Sequence, residues 1–233
     1  YLKQIDFIKN RKDRLFGALR RAEFLLEIND FEKATELLNQ LYRTDRNPQV
    51  IQLLADAYYQ SAAWSDLHRM MPEYMQAVER EPLHDAQKME SLYLAALNFA
   101  ASDQNSETLT LFWHSLPERM RRSERLLLRY ITLLLDKGEG DEAESALRKA
   151  LKVDYNPNLM LAYGSLYRGN LPAHIRHARK LVEHHPHIAE GHLALAQLLA
   201  RNEEYEAAEE ATKEALALKS DLPQAHKLLG ELH

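Results

Sequence analysis

The stretch HARKLVEHHPHIAEGH, residues 177 to 192, holds five of the chain's eleven histidines, and His174 lies just upstream. Neutral imidazole binds transition metals and haem iron, so histidines at this density raise ligand chemistry first. Spacing then restricts it. On a helix His174 and His177 share a face, but the rise per residue puts that end about 15 Å from the HHPH at the other. Only His184, His185 and His187 are held together by sequence, and they are the candidate haem ligands. The same three also suit the polar end of a helix, where an imidazolium favours the C-terminal dipole. No cysteine, no His-Glu-x-x-His motif and no local carboxylate pairing accompanies them, so no metal site is expected. A nucleophile with its base, a P-loop and a glycine-rich phosphate cradle are equally missing, and the carboxylates are spread as solvated helix faces spread them. The expectation is a protein without catalysis.

A second charged feature is ERMRRSERLLLR, with Arg119, Arg121, Arg122, Arg125 and Arg129. Guanidinium groups pair bidentately with carboxylates, so this run could meet an acidic partner, anionic lipid or a propionate. Glu118 and Glu124 balance it as a solvated helix start. The entry segment Lys9 to Arg14 reads the same way. Across 233 residues, 30 Lys and Arg face 35 Asp and Glu, and a net charge of −5 works against nucleic-acid binding. Without cysteine, disulfides and thiolate chemistry are excluded. No apolar run approaches the roughly 18 residues of a membrane span, and no signal-peptide pattern opens the chain. The chain starts at Tyr1 and stops at His233 inside an apolar-periodic segment, which reads as a piece of a longer protein.

The elements that must position these side chains are helices. Seven glycines, eight prolines and no strand-like alternation imply an all-α fold, with prolines 48, 82, 117, 157, 172, 186 and 223 mostly between the periodic segments. The helices repeat. An offset of 34 sets His192 on His226, Leu195 on Leu229 and Ala196 on Gly230, with Leu199, Tyr205, Ala208 and Ala215 between them. Residues 124 to 157 give Leu127, Tyr130, Leu134, Gly138, Ala143, Leu147 and Ala150 in the same register. Residues 15 to 48 give Ala22, Leu25, Phe31, Ala34, Leu38 and Leu41. This pattern resembles the tetratricopeptide repeat, TPR, whose 34-residue unit is an antiparallel helix pair. The approximate repeats are 15–47, 48–81, 83–116, 124–156, an irregular 157–188 and 189–222, with a final helix from 223, all in one domain. His192 and His226 fill the bulky slot of the repeat, and Trp64, Trp113, Phe112 and Tyr205 are expected in the core.

Such pairs stack into a right-handed superhelix whose concave surface is lined by the first helices. Here the array is irregular in the middle. One helical step off the core stripe lie Arg20, Glu23, Gln52, Asp56, Tyr59, Arg125, Arg129, Thr132, Glu190, Gln197, Arg201, Gln224 and Lys227, the candidate partner-binding face. Their mixed charge fits a protein groove better than a polyanion groove. Tyr58, Tyr59 and Tyr93 are candidate aromatic anchors.

The segment NPQVIQLLADAYYQSAAWSDLHRMMP, residues 47 to 72, resembles the HemY family, and so do ETLTLFWHSLPERMRRSERLLLRYITLLL and NLMLAYGSLYRGNLPAHIRHARKLVEHHP. The likeness runs from about residue 13 to 233. It implies a bacterial inner-membrane protein associated with late haem biosynthesis, with two transmembrane helices ahead of a TPR domain on the cytoplasmic side. It also implies a non-catalytic scaffold with haem-synthesis enzymes as partners. A haem- or porphyrin-binding domain and an adaptor in another pathway, such as envelope assembly, are the alternatives. Nothing resembles the flavin-dependent oxidase that shares the HemY name, because no glycine fingerprint follows a strand.

Overall fold

The computed structural model describes residues 11–80 and 86–232, so Lys9, Asn10, Pro82 and His233 lie outside the described residues. Among the described residues the chain is helical, without strands. Two compact units divide it, Tyr1–Met120 and Arg121–His233. The first holds α1 (Arg11–Glu27), α2 (Phe31–Thr44), α3 (Pro48–Gln60), α4 (Trp64–Arg80), α5 (Ala86–Ala100) and α6 (Glu107–Ser115). A single turn, α7 (Glu118–Arg121), reaches the boundary. The second holds α8 (Glu124–Asp136), α9 (Gly140–Val153), α10 (Pro157–Gly164), α11 (Leu171–His184), α12 (Ala189–Arg201), α13 (Tyr205–Leu218) and α14 (Pro223–Leu232).

Local chemistry sets these boundaries. The Asn47 side chain accepts a hydrogen bond from the Gln49 amide, and Pro48 takes the first turn of α3, where its missing N–H costs nothing. Asn156 and Pro157 repeat the device at α10, and Asn170 with Pro172 at α11. Four of the helix pairs also turn alike. Asn29, Ala62, Gly138 and Glu203 all have positive φ, and the next residue donates its amide to the carbonyl five back: Asp30 to Leu25, Ala63 to Tyr58, Glu139 to Leu134, Glu204 to Leu199. This is the six-to-one bond that closes a Schellman turn, and it aims the second helix back along the first.

Small residues let each pair nest. Ala22, Ala34, Leu38, Val50, Leu54, Leu67, Tyr74 and Leu97 are sealed in the first unit, and Leu126, Tyr130, Ala143, Leu147, Tyr163, Leu193 and Ala208 in the second. Ala34, Ala143 and Ala208 each stand fourth in a second helix, and none has exposed surface. Methyl groups there permit close helix approach, and larger side chains would overpack it. Pro72 departs from the expected placing of proline between segments: it sits inside α4. With no N–H to give, it leaves the carbonyl of His68 without its helical donor, and it does so on the exposed side.

Two core expectations need correction. Trp113 and Phe112 are buried, but Trp64 is 39% and Tyr205 56% exposed. Both residues open a second helix, where a first-turn side chain stands at the rim of the pair; Trp64 lies edge-on to Tyr59 with centroids 5.8 Å apart. Conversely Tyr93, expected as a surface anchor, is 1% exposed and packs edge-on against Tyr74.

The irregular pair is α10 with α11. α10 stops after 8 residues, and Gly164 explains the tight fit at its end: a Cβ there would lie 2.6 Å from Ala194 Cα of α12 and 2.4 Å from Gln197 Oε1. The Arg201 guanidinium of α12 donates to the carbonyls of Gly164 and Leu166, satisfying acceptors that a longer helix would have used itself.

Candidate partner-binding groove

In the first unit the three first helices α1, α3 and α5 border one groove of about 310 Å³. The structure brings Arg20, Glu23, Gln52 and Asp56 together there, beside Phe16, Leu19, Gln49, Leu53, Lys88 and Leu92. First-helix positions converge because the second helices α2 and α4 pack behind them and consume the apolar stripe. Phe16 is 61% exposed, with the Arg20 guanidinium 5.4 Å from its ring centroid, and Arg20 also pairs with Glu23 at 3.0 Å. Asp56 is only 4% exposed; Lys88 Nζ holds it at 2.7 Å from the next first helix, and Gln60 Nε2 at 3.2 Å from its own. That ion pair cross-links α3 and α5 at the floor of the groove. A buried carboxylate needs such partners.

Tyr59 is spent on Trp64 of its own pair, and the Tyr58 hydroxyl donates to Asn39 Oδ1 of α2 at 3.0 Å, tying α3 to the preceding pair. Phe16, Lys88 and Leu92 are groove residues the sequence reading missed. The signal for Lys88 was present, since it lies 32 residues after Asp56, close to one repeat.

In the second unit the predicted face residues have diverse roles. Arg125, Arg129 and Thr132 are exposed on α8, and the Thr132 hydroxyl donates to the Leu128 carbonyl at 2.9 Å. Glu190 holds Lys219 at 2.9 Å. Gln197 is half-buried beside Gly164, and Arg201 caps α10, so these two position a helix end. Gln224 and Lys227 are exposed on α14, the latter 3.6 Å from Glu231.

The histidines are placed one by one. His184 is exposed and donates Nδ1–H to the Lys180 carbonyl at 2.6 Å; His187 is exposed; His185 ends α11 and stacks on Tyr155 with centroids 4.0 Å apart. Among the described residues no group of three or more His, Asp or Glu could hold a metal ion. His192 and His226 keep the repeat register in their bonds, each donating Nε2–H to the carbonyl six residues back, Pro186 at 2.9 Å and Ser220 at 2.8 Å. His192 is buried, whereas His226 is exposed.

A buried polar cluster surrounds Glu144 of α9, 6% exposed. It accepts from the Tyr163 hydroxyl at 2.6 Å and Arg148 Nε at 3.1 Å, and lies 2.9 Å from His177 Nδ1. Burial, the Glu144 hydrogen bond and its charge all push the Tyr163 phenol far up, so it stays a donor. Burial holds His174 below its ordinary value despite the attraction of Glu144 and Asp141. In the first unit burial likewise lowers His68, wedged between Phe99 and Phe112.

Paired helices with shared turns, nested alanines and a face of first helices define a TPR-type domain. No protein-family model matches the chain. It is similar to the protein HemY of Escherichia coli strain K12, 25% identical over 153 residues, which cover 65% of this chain and 38% of that protein. The HemY of Shigella flexneri gives the same match. The chain is a TPR-type domain similar to HemY, and its match spans 38% of the length of these curated relatives. Among solved structures, YrrB, described as a TPR protein with an unusual peptide-binding site, is 13% identical with a TM-score of 0.36, over 91% of this chain and 89% of that one. The C-terminal part of a TPR protein from Cytophaga hutchinsonii is 18% identical with a TM-score of 0.35, over 91% and 99%.

Proposed function

We propose that this domain is a non-catalytic scaffold that holds a segment of a protein partner in the groove between α1, α3 and α5. The observation that carries the reading is the groove itself: an exposed Phe16 at its lip, mixed charge from Arg20 and Glu23, and a floor fixed by the Asp56–Lys88 pair. An aromatic anchor beside polar groups that can adapt suits a peptide segment. Fixing that floor in advance lowers the ordering cost of binding. The likeness to HemY supports a setting in late haem synthesis at the cytoplasmic face of a bacterial inner membrane, with haem-synthesis enzymes as the partners.

Selection of peptides from a random displayed library on the domain tests the groove. Peptides selected on the wild type should lose at least about tenfold in affinity for Gln52→Trp, which fills the groove, as expected when a central contact is blocked. A panel of selected peptides that binds Gln52→Trp as tightly as the wild type would refute the assignment.

A further inference from the structure

A different groove, of about 430 Å³, runs between the second helices α9 and α11 of the second unit. Arg148 and Lys152 stand on one wall, His177 and Lys180 on the other, and His184 and His185 close one end. Leu151 and Leu181 form its apolar floor. No carboxylate lines it, although the chain as a whole carries −5.

Its charges are available. Lys152 and Lys180 are exposed and have no ion-pair partner among the described residues. Arg148 is anchored from beneath, since Glu144 takes it through Nε at 3.1 and 3.4 Å, and its Nη donors have no other partner among the described residues. Glu144 also engages His177, so this carboxylate behind the wall is already occupied by Arg148, Tyr163 and His177.

We infer that this groove is a second binding site, for an extended acidic segment of a protein. The donors do not converge on a point, as an inorganic anion would require. They are strung along helices: Arg148 and Lys152 are one turn apart, and His177, Lys180 and His184 span about 10 Å of α11 at the helical rise. Same-face residues of an extended chain stand about 6.6 Å apart, close to one helical turn, so carboxylates on one face of the segment reach successive cations of α9 and those on its other face reach the cations of α11, with the leucines beneath the segment. Charge complementarity selects the sign, and the floor selects a peptide over a bare ion.

The probe is a fluorescein-labelled Gly-Glu-Glu-Leu-Glu-Glu-Gly amide, followed by anisotropy, beside the same peptide with lysine for glutamate. The wild type binds the glutamate peptide saturably and the lysine peptide at least about tenfold more weakly, as like charges in place of opposite ones demand. Lys152→Glu with Lys180→Glu loses at least about tenfold for the glutamate peptide, whereas Gln52→Trp in the other groove binds it unchanged. Circular dichroism confirms the fold of the reversed variant, and Lys152→Gln with Lys180→Gln repeats the test without new charge. No saturable binding overturns the inference, as does equal binding by the lysine variants. Displacement of the peptide by inorganic pyrophosphate at matching concentration also overturns it, in favour of a small-anion site. Because Gln52→Trp leaves this site intact, its outcome is separate from that of the α1, α3, α5 groove.

Discussion

The pair α12 with α13 and the pair α10 with α11 occupy successive repeats of one unit but solve packing differently. α12 runs 13 residues, turns through Glu203 and meets Ala208 as a close-fitting methyl. α10 runs 8, turns through Gly169, and 34 residues before Ala208 the partner helix carries His174 instead. The imidazole is as buried as the methyl, and its ring lies edge-on to Tyr163. The lost helical turn is replaced by side chains from neighbours: Arg201 supplies donors to the α10 carbonyls, Gly164 admits Ala194, and Glu144 collects Tyr163, Arg148 and His177. A repeat can thus lose part of a helix and keep its register, provided polar groups replace backbone bonds.

If that exchange is what holds the irregular pair, Glu144→Ala should be the most damaging change. It leaves the buried Tyr163 phenol with only the His174 carbonyl at 3.4 Å and takes the carboxylate from Arg148, and urea unfolding should show a loss of about 3 kcal/mol, the usual consequence of breaking one side of a buried pair. Gly164→Ala comes next, at about 2 kcal/mol, because its methyl meets backbone that cannot yield. Gly230 of α14 has open space around its Cβ position, so Gly230→Ala should instead stabilise by roughly 0.5–1 kcal/mol through helix propensity and chain entropy. A common sign for the two glycines in thermal melts would break the comparison. The smallest effect is on pH dependence. His174 and His68 resist protonation in the folded state but accept it readily when unfolded, so stability holds above the unfolded value of about 6.5 and falls below it. Unfolding at pH 7 and pH 5 should show the decline, and it should be shallower in His68→Leu.

Much of this was legible in the chain. Asn-Pro at 47–48 and 156–157 marks helix starts through capping chemistry that needs no tertiary information, and the shortness of α10 follows from the distance between Asn156 and the Asn170 to Pro172 start signal. Trp64 and Tyr205 misled because a slot shared by sequence position lies at the rim of the pair, where the depth of burial depends on the neighbours. Arg201 resembled a free surface charge; only the short α10, one repeat away, makes it a cap. The basic groove was hidden because Arg148 with Lys152, and Lys180 with His184, belong to two segments that packing alone brings together.

The proposed entry point for partners is the groove between the first helices of the first unit. Its most direct test is a photo-crosslinking amino acid placed at Gln52 of the groove and, as a control, at Lys149 on the exposed side of α9, in the full-length protein expressed in its own cells. A discrete polypeptide adduct is expected at Gln52 that Lys149 does not give and that Phe16→Ala weakens. Adducts of equal yield at both positions, or none at Gln52, would contradict it.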